Sequence, residues 1–125
     1  MIALDSSSTI AFLSGERGSD VNAVETALRL RQAVFPPVVV TELLSDSQVR
    51  SDLAAFIQAI PRLLVLEGYW ERAGQLRARL FRRGLKARLA DTLIAQSCLD
   101  HKIALVTRDQ DFRNFARHAG LRLER

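Results

Sequence analysis

The sequence predicts an α/β protein whose parallel sheet is covered by helices on both faces. Two observations carry this. Short apolar runs, residues 1–4, 38–40 and 103–106, alternate with stretches of helical periodicity, and such alternation builds a parallel sheet buried on both sides. The chain has 125 residues, 48% of them hydrophobic, enough for one domain, residues 1–125, with its own core.

Composition excludes several classes. No apolar run approaches the roughly 18 residues of a membrane span. The start, MIALDSSS, lacks the basic and apolar regions of a secretory signal. The single cysteine, Cys98, cannot form an internal disulfide and reads as a small core residue. A reducing cytoplasm fits. The net charge is +4, and 16 of the 18 basic residues are Arg, the side chain suited to bidentate phosphate contacts. That balance alone is common among soluble proteins.

Residues 1–4 form a first strand that ends at Asp5. Ser6 to Ser8 cap a helix running to about Leu13, and Gly15 ends it. Asp20 caps a second helix with Val21, Val24, Ala27 and Leu28 on its apolar stripe. Pro36 and Pro37 then stand at the entrance of a β-branched strand, residues 38–40. Glu42 falls where that strand gives way to a helix. Residues 52–60 are helical, residues 63–66 are a short strand candidate, and residues 69–81 are a helix with Tyr69, Ala73, Leu76 and Leu80 on one face. Trp70 extends that face toward the core or a subunit contact. Residues 112–118 make a last short helix and residues 121–123 an edge strand. His101 and His118 read as surface residues.

The stretch LADTLIAQSCLDHKIALVTRDQDF, residues 89–112, organises the site. It reads as helix, tight connection, buried strand and acidic loop. At helical spacing Thr92, Gln96 and Asp100 share one side, whereas Asp91 lines up with Ala95 and Cys98 on the apolar side. A carboxylate there needs a partner, because an unpaired buried charge costs several kcal/mol. No Lys or Arg lies on that stripe. Ligands of parallel sheets bind beyond the carboxyl ends of the strands. Asp5, Glu42 and Asp109 all follow strand candidates, and a helix starting at that end would bring Asp91 to the same rim. Each position has a bland alternative as a turn, cap or dipole partner; four carboxylates at one rim do not. Oxygen ligands without Cys or His favour Mg²⁺ or Mn²⁺ over Zn²⁺. From Arg72 to Ala90 there is no acidic residue but there are seven basic ones, Arg72, Arg77, Arg79, Arg82, Arg83, Lys86 and Arg88. They read equally as a solvated face or as a phosphate-tracking surface.

The segments IALDSSSTIAFL, VVVTELLS, LADTLIAQ and TRDQDF, in this order and spacing, resemble the motifs of PIN-domain ribonucleases, most of all the VapC-type toxins of toxin–antitoxin pairs. The resemblance spans essentially the whole chain. It implies a three-layer α/β/α fold with a central parallel sheet of four to five strands. It also implies Mg²⁺- or Mn²⁺-dependent RNA hydrolysis, a homodimer, and inhibition by a small antitoxin protein. Asp5, Glu42, Asp91 and Asp109 match the acidic metal-site positions, and Thr107 a supporting hydroxyl. Ser6 stands where Thr or Ser usually follows the first Asp, so DSS replaces the more usual DTS. Asp111 matches a further acidic position of variable role.

The chemistry suits these residues. Phosphodiester hydrolysis needs an activated water, in-line geometry and charge neutralisation, all of which a carboxylate-held metal pair supplies without a His base. A catalytically silent PIN-like binding module is the alternative, and the full acidic set argues against it. A receiver-type phosphoacceptor domain also clusters carboxylates at the end of a sheet. It implies a Lys at a late strand exit, where this chain has Thr107 followed by Arg108.

Overall fold

The computed structural model describes residues 1–46 and 52–124. In chain order the elements are β1 (Ile2–Leu4), α1 (Ser6–Leu13), α2 (Ser19–Arg29), β2 (Ala33–Val34), α3 (Pro37–Ser45), α4 (Leu53–Ala59), α5 (Tyr69–Arg82), α6 (Leu89–His101), β3 (Ala104–Val106), a 3₁₀ turn (Gln110–Phe112), α7 (Arg113–Ala119) and β4 (Leu123–Glu124). The strands form one four-stranded sheet in the order β2-β1-β3-β4, with every pairing parallel. The expected α/β/α architecture is therefore present. The chain leaves β1 toward β2 on one side and returns across β1 to β3 on the other. Right-handed crossovers put these two connections on opposite faces. The seam between β1 and β3 is thus the topological switch point, where a doubly wound sheet opens a crevice at its carboxyl edge.

Register fixes what meets at that seam. Leu4 pairs with Val106, and the Asp5 amide donates to the Val106 carbonyl at 2.9 Å. The residues just past both strands therefore lie side by side. Leu4, Phe35, Leu43, Ile94, Leu105, Phe112 and Phe115 are among the buried side chains that fill the core around the sheet.

Two strand expectations fail. Residues 38–40 lie in the first turns of α3, and the strand comes earlier, at Ala33–Val34. Pro37 opens α3, where its missing N–H is no loss and its fixed φ suits the helix. The β-branched preference against helix is a few tenths of a kcal/mol per residue. Burial of Val39, Val40 and Leu43 outweighs it. Residues 63–66 form no strand; an isolated bridge joins Phe35 to Arg62, and Leu64, Val65 and Leu66 are exposed. Asp20 does not cap α2, whose N-cap is Gly18. The edge strand begins at Leu123 rather than at Leu121.

The helix carrying Asp91 is enclosed more completely than its pattern suggested. Asp91, Thr92, Ile94, Ala95, Gln96, Ser97 and Cys98 are all buried. The polar side of α6 faces α5, not water. There the Tyr69 hydroxyl donates to the Leu93 carbonyl at 2.6 Å, and Arg72 donates to both oxygens of Asp100 at 2.9 and 2.6 Å. Gln96 donates to Asp100 as well. These bonds clamp α6 along its length and set the axial position of its first turn.

The two corrected segments make opposite predictions. Leu43, fully buried in α3, should cost about 2–5 kcal/mol as Leu43→Ala. Leu64, 76% exposed, should cost no more than about 0.5 kcal/mol as Leu64→Ala. Urea unfolding measures both; a large loss at Leu64 would restore a packed strand there.

Candidate active site at the carboxyl end of the sheet

Asp5 is the N-cap of α1 and only 3% exposed. Its Oδ2 accepts hydrogen bonds from Ser7 Oγ and Thr107 Oγ1, each at 2.7 Å. Thr107 Oγ1 also accepts from the Asp109 amide at 3.0 Å. One hydroxyl therefore links the carboxylate after β1 to the backbone of the acidic loop after β3. Asp109 Oδ1 in turn accepts from the Asp111 amide at 2.9 Å, capping the 3₁₀ turn as Asx residues do. Glu42 does not follow a strand, contrary to expectation. It sits within α3, and Ser6 Oγ donates to its Oε1 at 3.0 Å. Asp91 lies in the first turn of α6, at the same end of the sheet.

Asp91, Asp109 and Asp111 each place a carboxylate oxygen within 4.8 Å of the other two. Asp111, read from sequence as a residue of variable role, is a full member of that triangle. Asp5 and Glu42 do not enter it, yet their charges reach it. Burial raises Asp5 and Glu42 above their ordinary pKa, against the hydrogen bonds they accept, and the Asp109 charge adds to both shifts. Asp91 is pushed furthest, from 3.8 to about 6, first by burial and then by the charges of Asp109, Asp5, Asp111 and Glu42. A helix N-terminus offers a carboxylate about 0.3–1 kcal/mol, and here that does not offset the crowding. Asp91 is 8% exposed, and no described side chain donates a hydrogen bond to it.

Two cations stand at the rim. Lys86 Nζ is 3.0 Å from Asp111 Oδ2, and Arg88 Nε is 3.9 Å from the same atom. The other basic residues of that stretch diverge. Arg72 is committed to Asp100 and the Glu67 carbonyl. Arg77 donates to the Ala87 carbonyl and lies over the Phe81 ring. Arg83 pairs with His118. Arg79 and Arg82 remain exposed on the last turns of α5, where the helix dipole favours them. The stretch is thus divided among fold, rim and solvent rather than forming one surface. Sequence reading missed Ser7 and the ion pair between Arg108 and Asp20. A hydroxyl two residues past an N-cap Asp is the one local signal for Ser7; the ion pair spans 88 residues and has none.

The raised Asp91 pKa has a sign. The folded chain holds the protonated form more tightly than the unfolded one, so this contribution is present in full below about pH 3.8 and vanishes as pH rises through about 6. In EDTA the wild-type melting temperature should therefore fall from about pH 5 to about pH 7. Asp91→Asn should lose that share of the fall and melt at or above wild type near neutrality. Thermal scans across pH test this; an unchanged pH profile in the variant would mean that Asp91 ionises as freely as an exposed carboxylate.

A scan for known families matches residues 2–118 to the PIN domain. A search of curated proteins gives no match. Among solved structures, the chain is similar to VapBC2 from Rickettsia felis bound to a DNA fragment from its promoter, with a TM-score of 0.77 and 24% identity, covering 99% of this chain and 98% of the other. It is also similar to FitAcB from Neisseria gonorrhoeae, with a TM-score of 0.76 and 21% identity over 100% and 97% of the two chains. For VapBC-1 of nontypeable Haemophilus influenzae the values are 0.72 and 22%, over 99% and 97%. At such identities the likeness speaks for the fold, whereas the family match covers three of the four strands, β1 to β3, and the whole acidic rim. With carboxylates gathered at the switch point of a parallel α/β/α sheet, this chain belongs to the PIN-domain family.

Proposed function

We propose that this chain is a divalent-cation-dependent ribonuclease, the toxin of a VapBC-type toxin–antitoxin pair, acting in the cytoplasm as a homodimer held in check by a small antitoxin protein. One observation carries the catalytic part. Asp91, nearly buried, unpartnered among the described residues and crowded by Asp109 and Asp111, is a site whose charge calls for a cation. The toxin part is supported by the neighbours, which are VapBC and FitAB complexes matched over nearly the full length of both chains. Among the described residues no helix is long and apolar enough to cross a membrane.

The donor set fits Mg²⁺ or Mn²⁺, being all carboxylate oxygen. Asp91, Asp109 and Asp111 would hold the cation, with Asp5 and Glu42 beside them. Bound there, the cation supplies a more acidic water and neutralises charge on the phosphate. The chain's own residues do the rest. Thr107 and Ser7 hold the Asp5 carboxylate in one orientation, and Ser6 does the same for Glu42. Lys86 and Arg88, beside Asp111 at the rim, would contact a phosphate next to the cleaved bond. Arg79 and Arg82 offer sequence-independent contacts to more distant phosphates.

The purified protein should cleave RNA with Mg²⁺ or Mn²⁺ and become inactive in EDTA. Asp91→Asn should lower kcat/KM by about 100-fold or more, at or above the range typical of outer-shell partners. Wild-type cleavage in EDTA would exclude the metal reading. Neutralising Arg79 and Arg82 should weaken RNA binding and flatten its dependence on salt by about 0.7 for each phosphate that the variant no longer neutralises. An unchanged slope in a binding titration would return both residues to a solvated face.

A further inference from the structure

Arg108 sits between Thr107 and Asp109, the two residues through which the β3 exit enters the acidic site. The two neighbours take part in the hydrogen bonding around Asp5, through the Thr107 hydroxyl and the Asp109 amide. The Arg108 guanidinium is bound instead to the hairpin of α1 and α2. Nε and Nη2 donate to the two oxygens of Asp20 at 2.8 and 3.2 Å, Nη1 to Glu16 Oε1 at 3.1 Å, and Nη2 to the Arg17 carbonyl at 3.3 Å. Asp20 is itself tied to α1, since the buried Ser8 Oγ donates to its Oδ2 at 2.8 Å. The Arg108 guanidinium holds the Asp20 carboxyl below its ordinary range. The turn before α2 leaves room for the pair. Gly18 has φ +152, and a Cβ there would lie 2.6 Å from Asp20 Oδ1 and 3.3 Å from Arg108 Nη2.

These contacts close a ring. Asp5 begins α1, Ser8 of α1 holds Asp20, Asp20 holds Arg108, and Thr107 beside Arg108 donates back to Asp5. The loop bearing Thr107 and Asp109 is thereby fixed from two sides, by Asp5 on one and by the α1–α2 hairpin on the other. Without the Arg108 fork the loop keeps its contacts with Asp5 and with the Ser7 hydroxyl, which accepts from the Arg108 amide at 3.4 Å, but loses its hold on Asp20. We infer that Arg108, through its fork on Asp20, is a positioning residue that sets where Thr107 and Asp109 stand relative to Asp5 and Asp91. It acts through other side chains and does not touch the reacting atoms. The role rests on the metal-dependent nuclease reading for its catalytic consequence, but not for its effect on cation binding.

Charge and position make opposite predictions. Arg108 is a cation next to an acidic cluster, so by charge alone its removal strengthens cation binding. By position its removal weakens binding, because the carboxylates lose their arrangement; removing such an outer-shell partner typically costs about 10–100-fold. Mn²⁺ titration calorimetry well below the melting temperature separates the two. Arg108→Met should weaken the Mn²⁺ affinity about 10-fold or more. Asp20→Asn should do the same in kind, and the double variant should be no worse than the more damaging single one, as for two members of one linkage. Arg108→Lys should recover only part of the affinity, since an ammonium cannot reproduce the fork. On RNA, kcat should fall while KM stays within about twofold, the pattern of a displaced catalytic group. Unchanged or tighter Mn²⁺ binding in Arg108→Met overturns the inference, as does a rise in KM at constant kcat, or effects that multiply in the double variant. If Arg108→Met does not fold, Arg108→Lys and Asp20→Asn decide by the same readout. Wild-type protein that binds Mn²⁺ but cleaves no RNA would sink the nuclease reading and leave the positioning role standing on its Mn²⁺ result.

Discussion

The Thr107 hydroxyl donates to Asp5 Oδ2 at 2.7 Å, across the seam where β1 and β3 run side by side. The carboxyl edge of this protein depends on that hydrogen bond. It joins residues 102 apart in sequence and orients a carboxylate that burial would otherwise make costly. It also shares its oxygen with the Asp109 amide, so the acidic loop after β3 inherits its place from Asp5. Parallel pairing makes the bond available. Only with Leu4 opposite Val106 do the two exits end level, and a slip of one residue would turn Asp5 to the other face of the sheet.

Around that seam the chain gathers more negative charge than it balances. Lys86 and Arg88 meet Asp111 at the rim, but no described cation pairs with Asp91. The outcome is that burial and the neighbouring carboxylates push the Asp91 pKa up to about 6. Such crowding is an energetic cost in the metal-free chain, and it is the same property that makes the site receptive to a cation, since a ligand bound only by the native state stabilises it by mass action. On the proposed cation-binding role, stability and function are opposed at Asp91 for one electrostatic reason.

The rest of the fold supplies rigidity where the charges need it. Helix α6 is packed against the sheet on one side and against α5 on the other. Tyr69, Arg72 and Gln96 satisfy its polar side, and no fully buried side-chain nitrogen or oxygen among the described residues lacks a partner. A helix held on two sides cannot rotate to carry Asp91 into water. The hairpin of α1 and α2 plays the corresponding part for the β3 exit, through Asp20 and Arg108. Opposite faces of the sheet thus restrain the two halves of the acidic cluster.

Much of this was legible in the residues alone. Strand exits follow from apolar runs that stop at a polar residue, so Asp5 and Asp109 could be placed at one edge once the alternation of strand and helix implied a parallel sheet. Asp91 was legible because a carboxylate on an apolar stripe violates the periodicity around it. Glu42 was named with its element misread, because three consecutive valines carry a strand-like local preference that burial in α3 overrides. What tertiary structure alone decided are the pairings of long sequence separation. It put Asp111 into the triangle with Asp91, matched Ser7 rather than Ser6 to Asp5, split the basic stretch among separate partners, and joined Arg108 to Asp20. Local pattern reports which face of an element a residue occupies. It carries no record of which other element will come to lie against that face, because parallel pairing and helix packing bring those partners together only when the chain folds.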